Sequence, residues 1–241
     1  MPLLRIALGL VVGSLAALWL RRLAHRLPGA STPDATDGCP RCGAAPSLAG
    51  RIPLLAATPL GRCRQCGARG ARSLWLDLSA VLGTAVVFWR AGGTPALYVA
   101  LVVLWLAIAA SAIDLRLRII PNRLLAGAAI LGLLAMLPLG EPAYVQGILG
   151  AAALLAIGAV LAVVGRGGFG LGDVKYLAVV GLLLGLRPGV LSLLLAVMLG
   201  GLYAAGLLAT RRATRKDTIA FGPFIAIGSV IVALLLYTPP R

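Results

Sequence analysis

Along the chain, apolar residues come in runs close to 20 long, separated by short stretches where glycine, proline and charge collect. A run of that length matches the roughly 30 Å hydrocarbon core of a bilayer at about 1.5 Å per helical residue. The pattern predicts an all-α polytopic membrane protein with about eight transmembrane helices. They fall at 3–20, 74–90, 95–113, 123–139, 143–164, 174–187, 190–209 and 219–237. The sixth is short for a full crossing. Gly92-Gly93-Thr94-Pro95, the segment Pro138 to Pro142 and Pro188-Gly189 mark connections. The first run is not followed by a small-residue cleavage signature and reads as a retained anchor. The expected organisation is a first transmembrane helix over 1–20, a polar loop module over 21–73 and a membrane domain over 74–241.

Composition agrees with the pattern. Hydrophobic residues make up 60% of the 241 and charged ones 12%, with a mean hydropathy of +0.99. Soluble domains carry about 25% charged residues, so this chain has too little polar surface for water and takes the bilayer as its solvent. A net charge of +15 would ordinarily raise the question of nucleic acid. The distribution answers it. Eight helices with the N-terminus outside leave Arg5, Arg90, Arg187 and Arg241 on one side. The other side holds the remaining Lys and Arg, from Arg21 through Arg72 to Arg211–Lys216. That is the positive-inside bias of cytoplasmic loops, and it implies attraction to anionic lipid headgroups rather than to nucleic acid.

The acids separate into two groups. Asp34, Asp37, Glu141 and Asp217 lie in polar connections and read as solvated surface. Asp77, Asp114 and Asp173 sit at or inside the ends of apolar runs, where an ionised side chain costs about 2.5–3.5 kcal/mol to insert. Asp114 closes the third predicted helix, Asp173 lies in Gly170-Leu171-Gly172-Asp173-Val174-Lys175, and both fall on the cytoplasmic side at similar depth. Two close carboxylates in a low-dielectric site share a proton. The ionised one can then draw a proton from water attacking a peptide carbonyl while the other donates to the forming oxyanion. Gly170 and Gly172 let backbone approach a substrate strand closely. The plainer alternative pairs Asp114 with Arg116 or Arg118 and Asp173 with Lys175 as interfacial salt bridges. A proton relay or ion site in a transporter or scaffold is a third reading.

Other chemistries lack material. His25, the only histidine, lies between Arg22 and Arg26, so a Ser-His-Asp triad or a histidine-based metalloprotease site has almost nothing to build on. Gly165-Arg166-Gly167-Gly168-Phe169-Gly170 satisfies G-x-G-x-x-G but follows a membrane helix instead of a strand. The cysteines carry a distinct signal. Cys39-Pro40-Arg41-Cys42 and Cys63-Arg64-Gln65-Cys66 have the spacing of a zinc ribbon, each knuckle followed by glycine. A reducing cytoplasmic location disfavours disulfides. The loop is therefore expected to be a small cytoplasmic zinc-ribbon-like module with structural Zn²⁺ on Cys39, Cys42, Cys63 and Cys66.

Six ordered motifs then give a resemblance. They are Gly13-Ser14 with Arg26-Leu27-Pro28, Cys39-Pro40-x-Cys42, and Ile52-Pro53-Leu54-Leu55 with Gly61-Arg62-Cys63-Arg64-x-Cys66. Ile113-Asp114 with Ile120-Pro121, Phe169 through Lys175, and Ile219-Ala220-Phe221-Gly222-Pro223-Phe224 complete the set. The chain resembles the bacterial type IV prepilin leader peptidases, Gly-x-Gly-Asp membrane aspartic peptidases that often double as N-methyltransferases. The resemblance implies cleavage of the basic leader of prepilins or pseudopilins at the cytoplasmic side of the inner membrane, for pili or secretion. It puts Asp114 and Asp173 at the catalytic positions and implies S-adenosylmethionine as methyl donor, with the loop and Asp77 in the methylation region. Departures from the family pattern are Asn122 where Asp is common, Arg51 where Asn is common, and Asp77 in place of a Glu.

Overall fold

A computed structural model describes residues 2–25, 42, 44, 62–67, 74–165, 169–212, 214 and 219–236. Cys39, Arg51, the Ile52–Leu55 motif, Asp34, Asp37 and Asp217 lie outside the described residues. Among those described, secondary structure is wholly helical. The helices are α1 (Pro2–His25), α2 (Leu74–Ala91), α3 (Ala96–Leu117), α4 (Asn122–Met136), α5 (Glu141–Val164), α6 (Leu171–Leu184), α7 (Leu186–Ala209) and α8 (Gly222–Leu236). A 3-10 turn over Leu137–Leu139 extends α4. Five helical segments are long and apolar enough to cross a membrane: Pro2–Leu20, Ala96–Leu117, Asn122–Leu139, Glu141–Val164 and Leu186–Ala209. The chain is a multi-pass, all-helical membrane protein, as its hydropathy indicates.

Several borders differ from the hydropathy pattern, among them the end of α1 and the start of α7, and three helices show a local reason. α3 runs a turn past Ile113 and stops where Arg118 turns left-handed at φ 54°, so Asp114 lies within the helix. α6 starts at Leu171 and ends at Gly185, whose φ of 85° favours glycine, so Asp173 falls in its first turn. α8 begins at Gly222, leaving apolar Ile219, Ala220 and Phe221 as its approach.

The chain divides into two compact units, 1–89 and 90–241. In the first, α1 lies close on α2: Cβ atoms added at Gly9 and Gly13 would sit 2.7 Å from Ala85 Cα and 2.8 Å from Val81 Cα. The second is built around the pairing of α5 with α6. Gly147, Gly150 and Gly158 fall on one face of α5, and a Cβ at Gly150 would run into the backbone carbonyl of Gly181. In lipid, where apolar surface alone gives helices little reason to associate, such small-residue faces supply the close van der Waals contact that holds a bundle. Leu154, Tyr176, Leu177 and Ile225 are fully buried in this core.

Gly181→Ala should therefore force α5 and α6 apart and lower the thermal midpoint of the detergent-purified protein, by an overpacking cost of about 1–3 kcal/mol. Gly201→Ala, which meets open space, should leave the midpoint unchanged. Equal midpoints for the two variants would refute the packing account.

Candidate active site

Asp114 is held from two directions. Its backbone carbonyl accepts the Arg118 amide at 2.9 Å, closing the last turn of α3. Its side chain is buried, 5% exposed, and Oδ2 accepts the backbone N–H of Gly222 at 2.9 Å. Gly222 opens α8, so the carboxylate faces a helix N-terminus, where amides lack helical partners and the macrodipole favours negative charge. The approach depends on glycine: a Cβ at residue 222 would stand 2.7 Å from Asp114 Oδ2 and 3.1 Å from its carboxyl carbon.

Asp173 is organised locally. Its amide donates to the Gly170 carbonyl at 3.0 Å, and its Oδ2 accepts the Gly170 N–H at 3.3 Å. This is the reach-back half of a capping box, with a bare glycine at the cap. Each aspartate thus has Oδ2 engaged by the amide of a glycine. The two carboxylates are borne on α3 and α6, helices that both pack against α8.

Neighbouring residues join the same region. Gly172 packs on Ile120, where a Cβ would sit at 3.5 Å. Lys175 Nζ donates to Asn122 Oδ1 at 3.1 Å, tying α6 to the first residue of α4. The lysine beside Asp173 in sequence therefore has an amide oxygen as its hydrogen-bond acceptor. The Phe169 and Phe221 rings meet edge to face, with centroids 5.2 Å apart and planes at 63°. Sequence reasoning assigned no role to Gly222, Asn122 or this ring pair. The motif around Gly222-Pro223 was a signal for the first, but its donor function rests on a contact 108 residues distant.

In the first unit, Asp77 is buried on α2, 2% exposed. The sulfurs of Cys42, Cys63 and Cys66 lie within 4.8 Å of one another. The Cys42–Cys63 separation is 3.6 Å, far beyond a disulfide bond of about 2.05 Å. It is close to the ~3.8 Å edge of a tetrahedron with Zn–S bonds of about 2.3 Å. Gly67, at φ 68°, returns its amide to the Cys63 carbonyl at 2.9 Å and closes the knuckle. Amides of Cys66 and Gln65 directed at Cys63 hold its thiol below its ordinary pKa, favouring the thiolate that binds metal. These three residues fit one metal ion.

The comparisons with known proteins fall on the same ground. Residues 101–205, which include both aspartates, match the type IV leader peptidase family. A prepilin leader peptidase/N-methyltransferase of Bacillus subtilis (strain 168) is 34% identical over 205 residues, 82% of this chain and 81% of the relative. Its namesake from Aeromonas salmonicida (strain A449) is 34% identical over 81% of this chain and 70% of its own length. One from Burkholderia pseudomallei (strain K96243) is 30% identical over 98% of this chain and 85% of the relative. No solved structure gave a significant match. The matching family and relatives define a leader peptidase class. The chain belongs to the type IV leader peptidase family.

Gly222→Ala should push the Asp114 carboxylate off its amide donor and reduce peptidase turnover by about 100-fold while the protein still inserts and purifies. Turnover within a factor of two of the parent would show that the close approach is dispensable. For the cysteine cluster, about one zinc per chain should copurify, and Cys63→Ser should lower that content. Elemental analysis finding no zinc in protein purified without chelator would exclude the site.

Proposed function

We propose that this protein is a membrane aspartic endopeptidase that removes the leader from type IV prepilins or pseudopilins, with Asp114 and Asp173 as its catalytic pair. The observation that carries the reading is the mutual arrangement of the two carboxylates. They come from separate helices that both pack against α8, and each has one oxygen engaged by a glycine amide. In this reaction the ionised carboxylate takes a proton from water as its oxygen bonds to the scissile carbonyl carbon. The protonated carboxyl donates to the carbonyl oxygen. The C–N bond of the tetrahedral intermediate then breaks as one hydroxyl returns its proton to the pair and the amine leaves with a proton taken from it.

The same reading assigns a second step to the protein, transfer of a methyl group from S-adenosylmethionine to the newly exposed N-terminal amine. The relatives' names support it, and the 21–73 loop with Asp77 is the region assigned to it. Zn²⁺ on Cys39, Cys42, Cys63 and Cys66 would hold the loop's fold. A closed four-thiolate site has no open position for catalysis. By the charge distribution, the loop and the aspartates face the cytoplasm from the inner membrane.

Incubating the purified protein in detergent with a prepilin and S-adenosylmethionine, and weighing the products, tests both steps. Asp114→Asn and Asp173→Asn should each abolish cleavage, because a shared-proton pair needs both members. Substantial cleavage by either variant removes that residue from the pair. Mature product of unmethylated mass, with donor in excess, reduces the protein to a peptidase alone.

A further inference from the structure

The helices that carry the two aspartates touch each other only lightly, whereas α8 packs along both α3 and α7. Direct packing between α3 and α6 therefore does little to fix how the carboxylates stand relative to each other. Their amide donors are better connected. Gly170, which donates to Asp173, directly follows Phe169; Gly222, which donates to Asp114, directly follows Phe221. The side chains of these two phenylalanines are in edge-to-face contact at 5.2 Å.

We infer that the Phe169–Phe221 pair positions the two aspartates, acting as a clasp that locks the Gly170 and Gly222 amides, and hence the carboxylates they hold, into one arrangement. The inference rests on the proposed catalytic pair and adds the element that sets its geometry. Neither ring is a catalytic residue; both act through the backbone of the next residue.

The surroundings give the clasp a fixed base. Phe221 packs against α7 at Gly200, where a Cβ would stand 2.9 Å from its ring. Phe224, a turn into α8, packs on Phe221 at 6.1 Å and on Tyr203 of α7 at 5.5 Å. Phe221 is thus packed against α7 while it meets Phe169 in an edge-to-face contact. Because a phenylalanine precedes each glycine donor, a ring displaced on one side moves the amide beside it. The pair couples two segments with no covalent link nearer than α6 and α7. An edge-to-face contact also has a preferred angle, which a contact between aliphatic side chains lacks.

The test is a double-variant cycle on the full-length protein in detergent with a prepilin substrate. Phe169→Leu and Phe221→Leu should each lower kcat by about 10- to 100-fold, the cost of a roughly 1 Å misplacement. KM should change little, because the clasp acts through the amides of Gly170 and Gly222. The double variant should be no slower than the slower single, since either loss opens the clasp. Leu154→Ala, which removes a fully buried side chain on α5 adjoining neither donor nor ring, should lower the thermal midpoint with kcat nearly unchanged. If a leucine variant fails to purify folded, Phe169→Met and Phe221→Met replace the pair under the same criteria.

Losses that multiply in the double variant overturn the clasp, as does an effect confined to KM or an equal fall in kcat for Leu154→Ala. Asp114→Asn and Asp173→Asn, assayed alongside, separate the two levels. Inactive aspartate variants with multiplying phenylalanine losses sink the clasp alone; active aspartate variants sink the catalytic pair and the clasp with it.

Discussion

A carboxylate at the edge of hydrocarbon needs hydrogen-bond donors in place of water, and in this protein the backbone supplies them. The amides of Gly222 and Gly170 reach Asp114 Oδ2 and Asp173 Oδ2. Both glycines stand at helix starts, where amides are otherwise without helical partners. A side-chain donor would have added a long, mobile group and its own charge. A backbone donor is fixed by the helix that carries it, so the geometry of the carboxylates follows from where α6 and α8 begin. The close approach of Gly158 on α5 to Val174 and the Lys175–Asn122 bond both bear on the start of α6.

The membrane architecture was legible because hydrocarbon imposes a length and a composition that single residues cannot hide. The eight helices follow the apolar runs. Their ends were less legible, because ends are decided by backbone hydrogen bonds that hydropathy does not record. Leu171 and Gly172 looked like an approach to the sixth helix. The bond from Gly170 to Asp173 makes them its first turn. Ile219 to Phe221 looked like helix and are not, since α8 starts at Gly222.

The candidate site shows the same division. Asp114 and Asp173 stood out by their cost in an apolar run, and the cysteine pairs by their spacing. Gly222 did not stand out, because the chemistry it contributes belongs to its amide and its partner is distant in sequence. Asn122 looked like a neutral departure from the family pattern until its oxygen was found accepting Lys175 Nζ. The metal cluster was legible as four cysteines, of which three are described and brought together.

The shortness of α6 has a consequence for the lipid around it. Its 14 residues span about 21 Å, against a hydrocarbon thickness of about 30 Å. A helix that falls short of the bilayer draws headgroups and water inward at its ends, or leaves them beneath the headgroup level inside the protein. Asp173 lies in the first turn of that helix. A bilayer that thins to match α6 would carry water, the reactant that the proposed hydrolysis consumes, toward Asp173.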